Sequence, residues 1–294
     1  MAINDIQELK KHSFKVGSNP DLVQASGGNT SWKSGNEIWV KGSGKRLKDV
    51  FANEIFASIN LENLSDDEIL EREDFLHLTS NSIAPSIETN FHILLSAKYV
   101  THLHSLGSIA IGLSSGGHIN LRIPESVSFI PYTRPGVDLA NAILKCEDPS
   151  EKILVLQNHG VIFSGQNCSD IEGKIELFES SVREYFDEIP TSDFFPNWIE
   201  ILTSGVLTPD EAVFLGEKPF IESESASSNS VAINSVGEII FPDNFSTDRV
   251  ELAIFYVRVA KLIERKTQVK YLPEEEVHEL LGWDKEQIRI AMSR

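Results

Sequence analysis

Two histidines separated by a single residue lie in the run Val100-Thr101-His102-Leu103-His104-Ser105. The β-branched and apolar residues of this run predict a strand. Side chains alternate faces along a strand, so His102 and His104 point the same way and Leu103 points to the other side. Two imidazoles so placed can reach one cation at Zn–N distances of about 2.0–2.1 Å. The plainer alternative is a pair of histidines at a sheet end, hydrogen-bonded to backbone. A third histidine, His159, sits in Gln157-Asn158-His159-Gly160, where the apolar run Ile153-Leu154-Val155-Leu156 ends, and a carboxylate, Glu88, lies one short helix upstream of the pair. Three histidines with a carboxylate form the donor set of a metal centre that keeps a position open for substrate.

The helix that carries Glu88 is expected to open at Pro85 and to bury Ile87, Phe91, Leu94 and Leu95 on one face, with proline near its first position. Glu88 then falls in the first turn, where an acid is also favoured simply by the helix dipole. His92, one turn on, shares its side and can orient it.

Two glycine-rich stretches flank one predicted hairpin. The first is Gln24-Ala25-Ser26-Gly27-Gly28-Asn29-Thr30-Ser31, the hairpin spans 30–41 with its turn at Ser34-Gly35-Asn36, and the second is Gly42-Ser43-Gly44-Lys45-Arg46. Such loops can turn backbone N–H groups onto an anion, helped by Ser, Thr and Lys; two tight turns are the alternative. The second is no Walker loop, because Trp39 stands where its first glycine is required, and neither is a dinucleotide fingerprint. Lys41, Lys45, Arg46 and Lys48 cluster here in a chain whose formal net charge is −18. That charge argues against nucleic acid and anionic membrane surfaces as partners, since both are bound through Lys and Arg.

At 294 residues with 41% hydrophobic content the chain can bury a substantial core, as one large domain or two smaller ones. No apolar run approaches the roughly 18–20 residues of a membrane span, and the start Met1-Ala2-Ile3-Asn4-Asp5 does not read as a signal peptide. Two cysteines, Cys146 and Cys168, suggest a reducing, cytoplasmic setting rather than a disulfide framework.

The remaining elements must position these groups. Residues 4–16 predict an amphipathic helix, 50–74 an acidic stretch with a strand and a loop, Val127–Tyr132 a strand, Val137–Leu144 a helix, and Ile153–Gln157 and Val161–Phe163 strands on either side of His159. Ser114–His118 reads as a loop. Ser169–Tyr185 predicts a helix capped by Ser169 or Asp170. From Pro190 the texture changes to an aromatic linker at Phe194–Trp198 and a helix started by Thr208-Pro209. A Ser/Glu-rich mobile loop at Ser223–Ser230, a small hairpin within 231–241, and helices over 247–266 and 273–292 follow. The stripe Leu252, Phe255, Tyr256, Val259, Ile263 must bury against something, either the first domain or a neighbouring subunit. No convergent set of ligands or acid–base pairs is legible in this last third.

With these motifs placed, the chain resembles the class II aldolase/adducin family over roughly residues 5–190. The resemblance rests on Gly28-Asn29-Thr30-Ser31, Gly42-Ser43-Gly44, Pro85-Ser86-Ile87-Glu88 with Phe91-His92, His102-x-His104 and Gln157-Asn158-His159-Gly160, in the family's order and approximate spacing. It implies an α/β protein of the α+β type with a central, mainly antiparallel sheet flanked by helices. That domain would span 1–190, with a C-terminal extension, mostly helical with a small hairpin, over 191–294. It further implies a zinc or other divalent ion held by His102, His104 and His159, with Glu88 as the acid–base. The phosphate of a sugar-phosphate substrate would lie among Asn29, Thr30, Ser43, Gly44 and Ser86. The implied activity is aldol cleavage of a ketose phosphate to dihydroxyacetone phosphate and an aldehyde, by a homo-oligomer, as a tetramer. Two positions depart from the pattern. Ile87 stands where the family has a second phosphate serine, and Ile109–Ser128 offers no equivalent of its tyrosine proton donor. The family also contains epimerases, dehydratases and decarboxylases, and non-catalytic adducin-like scaffolds that have lost the metal ligands.

Overall fold

The computed structural model describes residues 2–62, 64, 69–114, 121–124 and 126–283. The chain opens with α1 (Ala2–Gly17), then runs the hairpin β1 (Asn29–Ser34) and β2 (Glu37–Lys41) into β3 (Phe56–Asn60). Two short helices, α2 (Arg72–Leu78) and α3 (Thr89–Leu94), lead to β4 (Tyr99–Leu103), α4 (Leu106–Leu113), β5 (Val127–Ile130) and α5 (Val137–Leu144). The pair β6 (Ile153–Leu156) and β7 (Gly160–Gly165) follows, then the long α6 (Cys168–Glu188). Beyond residue 190 come α7 (Trp198–Thr203), α8 (Pro209–Leu215), the short strands β8 (Phe220–Glu222), β9 (Val231–Ile233) and β10 (Ile239–Ile240), and the helices α9 (Thr247–Ile263) and α10 (Glu274–Gly282).

The main sheet has seven strands in the order β3-β2-β1-β4-β7-β6-β5. Every neighbouring pair is antiparallel except β5 with β6. The histidine strand β4 is therefore central, with β1 on one side (Asn29 opposite His102) and β7 on the other (Ile162 opposite His102). Both faces of the sheet are covered. Ile153 and Val155 of β6 join a large core with α4, α6 and α9, whereas Leu154 and Leu156 face a second cluster with Phe91, Leu95 and Leu139. Burial on both faces explains why this strand reads as an unbroken apolar run instead of an alternating one. A smaller sheet, β10-β9-β8, contains the expected hairpin, with β8 added parallel to β9.

The large core does not stop at residue 190. It joins Leu9, Leu103, Ile109, Val161 and Phe178 to Ile201, Leu207, Phe255 and Ile263. The expected stripe of α9 is buried, each of its five side chains at most 2% exposed, worth roughly 1.5–3 kcal/mol apiece.

Several elements differ from the sequence reading. The helix expected from Pro85 begins at Thr89, and Glu88 occupies its N-cap position. Pro85 is instead held extended by a bridge to Gly42, with Ser43 N–H donating to Ala84 O at 2.9 Å. The cap of α6 is Asn167, whose side chain accepts from Asp170 N–H. Part of the acidic stretch forms α2, and the aromatic linker runs into α7, capped by Asn197. Within the cation cluster, Arg46 pairs with Asp248 at 2.8 Å and Glu251 at 3.2 Å, and so tethers α9. His118 and the end of the helix expected over 273–292 lie outside the described residues. Among the described residues no helix is long and apolar enough to cross a membrane.

Candidate active site

The three histidines converge. His102 and His104 project from the end of β4 and His159 from the β6–β7 turn, and one ligand atom from each lies within 4.8 Å of the others. All three are buried, at 0%, 7% and 6% exposure. The turn brings His159 in because Asn158 adopts a left-handed backbone, φ 54°, and because residue 160 is glycine. A Cβ there would lie 2.3 Å from Leu103 O and 3.0 Å from His102 Cε1. No other residue lets β7 close onto β4 beside the imidazoles.

Hydrogen bonding fixes which nitrogens face inward. His102 Nδ1 lies 3.1 Å from the Val161 carbonyl, and His104 Nδ1 lies 2.8 Å from Asp210 Oδ2. A carbonyl and a carboxylate only accept, so both Nδ1 atoms carry the proton and both Nε2 atoms present lone pairs. Those two Nε2 atoms are 3.0 Å apart. Burial pushes the His102 imidazole down to about 4 and His159 down to about 3. A divalent cation between the facing nitrogens would accept their lone pairs. The set fits a divalent ion in the manner of a carboxylate–histidine–metal arrangement.

Glu88 stands opposite. Its Oε2 is 3.6 Å from His102 Nε2 and its Oε1 is 3.3 Å from His159 Nε2. Burial by itself raises a carboxyl, but the fields of His102, His159 and His104 and the Asn29 amide outweigh it and bring Glu88 down to about 2. The side chain is thus an ionised carboxylate held beside the three imidazoles. Asn29 Nδ2 donates to Oε2 at 2.8 Å, while buried Oε1 has no hydrogen-bond partner among the described residues. His92 does not touch Glu88 directly. It is bonded to Asn29 Oδ1 through Nε2 and to Ser31 Oγ at 2.7 Å through Nδ1, so it orients Glu88 by way of Asn29.

Four of the five expected anion-loop residues share this cleft: Asn29, Ser43, Gly44 and Ser86 line it together with Glu88, His104 and His159. Thr30 does not. Its side chain is fully buried on the opposite face of β1, bonded to Ser13 Oγ of α1 at 2.7 Å. Strand alternation decides this: Asn29, opposite His102, faces the site, so its neighbour must face away.

Lys41 and Asp210 are among the other side chains that line the cleft. Lys41, at the end of β2 and only 3% exposed, donates from Nζ to Ser26 O at 2.6 Å and to Lys45 O at 2.8 Å. It ties the two glycine-rich loops together and puts a cation beneath them. Asp210 comes from the last third of the chain, in which no convergent set of ligands is legible from sequence. The only sequence signal for it is an acid in the first turn of a helix started by Thr208-Pro209.

The fold is that of a class II aldolase domain, and the chain belongs to that family: the Class II Aldolase and Adducin N-terminal domain matches residues 13–186. Among curated relatives it is similar to an uncharacterized oxidoreductase, YuxG, of Bacillus subtilis (27% identity over 62% of this chain and 30% of that one). It is also similar to the L-fuculose phosphate aldolase of Methanocaldococcus jannaschii (27% identity over 55% of this chain and 84% of that one). The match thus spans under a third of the first relative's length. A solved class II aldolase domain from Thermoplasma acidophilum aligns at 25% identity and TM-score 0.49, over 62% of this chain and 93% of that one.

Proposed function

We propose that this chain is a divalent-metal-dependent lyase that cleaves a ketose phosphate to dihydroxyacetone phosphate and an aldehyde. The observation that carries the reading is the convergence of three inward-facing imidazole nitrogens on an ionised, buried carboxylate at the mouth of two glycine-rich loops. His102, His104 and His159 would hold the ion, zinc by the nature of the donors. When bound, such an ion supplies Lewis-acid polarisation of a carbonyl and stabilises negative charge developing on oxygen.

The chain's own residues supply the rest. Glu88, ionised and fixed by Asn29, takes a proton from the carbon beside the carbonyl in the condensation direction and returns it in cleavage. Asn29, Ser43, Gly44 and Ser86 present donors to the substrate phosphate, and Lys41 adds a positive charge beside them. Ser86 is already turned toward the site, since its Oγ accepts from Glu88 N–H at 3.2 Å. No tyrosine is among the described residues lining the cleft, so the proton that the aldehyde-forming hydroxyl gives up in cleavage, and regains in condensation, is handled by a group outside this set. A homo-oligomer, as a tetramer, would bring such a group from a neighbouring copy.

Retention of all three histidines favours an enzyme over a scaffold of the adducin kind. The test is incubation of zinc-loaded protein with a panel of ketose 1-phosphates, reading dihydroxyacetone phosphate with a coupled dehydrogenase. Release from at least one of them is expected. A zinc-loaded protein that releases none, but interconverts or dehydrates a sugar phosphate, assigns the site to another reaction of the family.

A further inference from the structure

We infer that the segment beyond the family domain is a working part of the metal centre, with Asp210 as a positioning residue for His104. This rests on the reading of His102, His104 and His159 as metal ligands. The matched family region ends at residue 186, yet two of the contacts that set the histidine geometry come from after it.

The first is Asp210 itself. It lies one residue into α8, and its carboxylate is 2.8 Å from His104 Nδ1, with both side chains only 8% exposed. An acid so near a helix N-terminus would ordinarily point to solvent, where the dipole rewards it at little cost. This one is instead withdrawn into the protein, which is costly unless the charge is hydrogen-bonded. Its partner is the one histidine of the three whose Nδ1 is held by a side chain; His102 uses a backbone carbonyl. The chain also leaves room for the pair, because a Cβ on Gly27 would lie 3.1 Å from His104 Nδ1 and 3.2 Å from Asp210 Oδ2. A carboxylate accepting from Nδ1–H fixes the tautomer that presents Nε2 and raises the basicity of that nitrogen.

The second contact is on the other side of the centre. Asn158, which turns the chain into His159, donates its amide to Leu207 O and to Lys270 O, both at 2.8 Å. Leu207 directly precedes the Thr208 cap of α8, so the same short stretch that delivers Asp210 to His104 also grips the His159 turn. His104 and the turn of His159 are thereby held from one external clamp. The domain alone, cut after residue 186, would lack both contacts.

The experiment measures zinc affinity of the full chain, stripped of metal and titrated against a chromophoric chelator, for wild type, Asp210→Ala, Asp210→Asn and Asn158→Ala. Outer carboxylates of this kind typically contribute about 10–100-fold to metal affinity. Asp210→Ala should lose affinity in that range. Asp210→Asn, which keeps an acceptor but not the charge, should recover part of it, a graded rescue that a purely structural role would not give. Cobalt-loaded Asp210→Asn should also show a displaced ligand-field absorption band, reporting a change at His104. Asn158→Ala should weaken zinc independently of these. If wild type binds zinc and both Asp210 variants bind it as tightly, with the cobalt spectrum unmoved, the inference is overturned while the metal reading stands. If wild type itself binds no divalent ion, the metal reading fails instead. Should Asp210→Ala not fold, Asp210→Asn decides.

Discussion

Replacing Glu211 by Gln should stabilise the protein, and by an amount that grows with pH. Glu211 sits beside Asp210 at the start of α8, is fully buried, and accepts from Leu207 N–H. Its other oxygen, Oε1, has no hydrogen-bond partner among the described residues. Burial pushes this carboxyl up from 4.5 to about 8, against the two backbone N–H groups of Leu207 and Thr208 that favour its ionised form. In the unfolded chain it ionises near 4.5; in the fold it keeps its proton until about 8. Between those values the folded state binds one more proton than the unfolded state, so the free energy of unfolding falls as pH rises. The slope is about 1.4 kcal/mol per pH unit. The contribution is complete below the unfolded value and is lost as pH climbs through the folded one. Over the two units from pH 5.5 to 7.5 the loss is about 2.7 kcal/mol. Glutamine keeps the acceptor for Leu207 and does not titrate. Urea unfolding of both proteins, metal-free in chelator so that ligand binding adds nothing, should show the difference moving toward Glu211→Gln by about 2–3 kcal/mol across that interval. A difference that stays constant with pH would refute the buried, protonated state of Glu211 and with it this account of how α8 is anchored.

Two further outcomes concern the chemistry. Glu88→Gln should retain the fold and most of the bound metal, yet lower turnover by about 10²–10⁴-fold, the usual contribution of a general acid–base; near-normal turnover would make Glu88 only the N-cap of α3. Lys41→Met should raise KM for phosphorylated substrates by about 10–100-fold, in line with loss of a hydrogen-bonding charge worth about 1.5–3 kcal/mol, and circular dichroism should show the sheet intact. Equal KM values for mutant and wild type would remove Lys41 from the anion site.

How much of this was legible in the sequence depends on whether the deciding contact is local. The face shared by His102 and His104 follows from strand alternation alone, and His159 was marked by the apolar run that ends beside it. The same alternation, applied to β1, separates Thr30 from Asn29, and its side chain faces α1. Pro85 is a good helix opener, and local pattern therefore puts Glu88 in a first turn. The bridge between Pro85 and Gly42, residues 43 positions apart by number, delays the helix to Thr89. Asp210 was not legible as a site residue. Thr208 and Pro209 announce where α8 starts, but its approach to His104 depends on how α8 and α9 settle against the sheet, through a core that local pattern does not specify.

The central claim is that His102, His104 and His159 form one metal centre, and metal content measures it most directly. Full-length protein dialysed against zinc and then against metal-free buffer should retain close to one zinc per chain by mass spectrometry, and His102→Ala, folded by circular dichroism, should retain far less. A His102→Ala protein that still carries one zinc per chain, or a wild-type protein that carries none, would contradict the account.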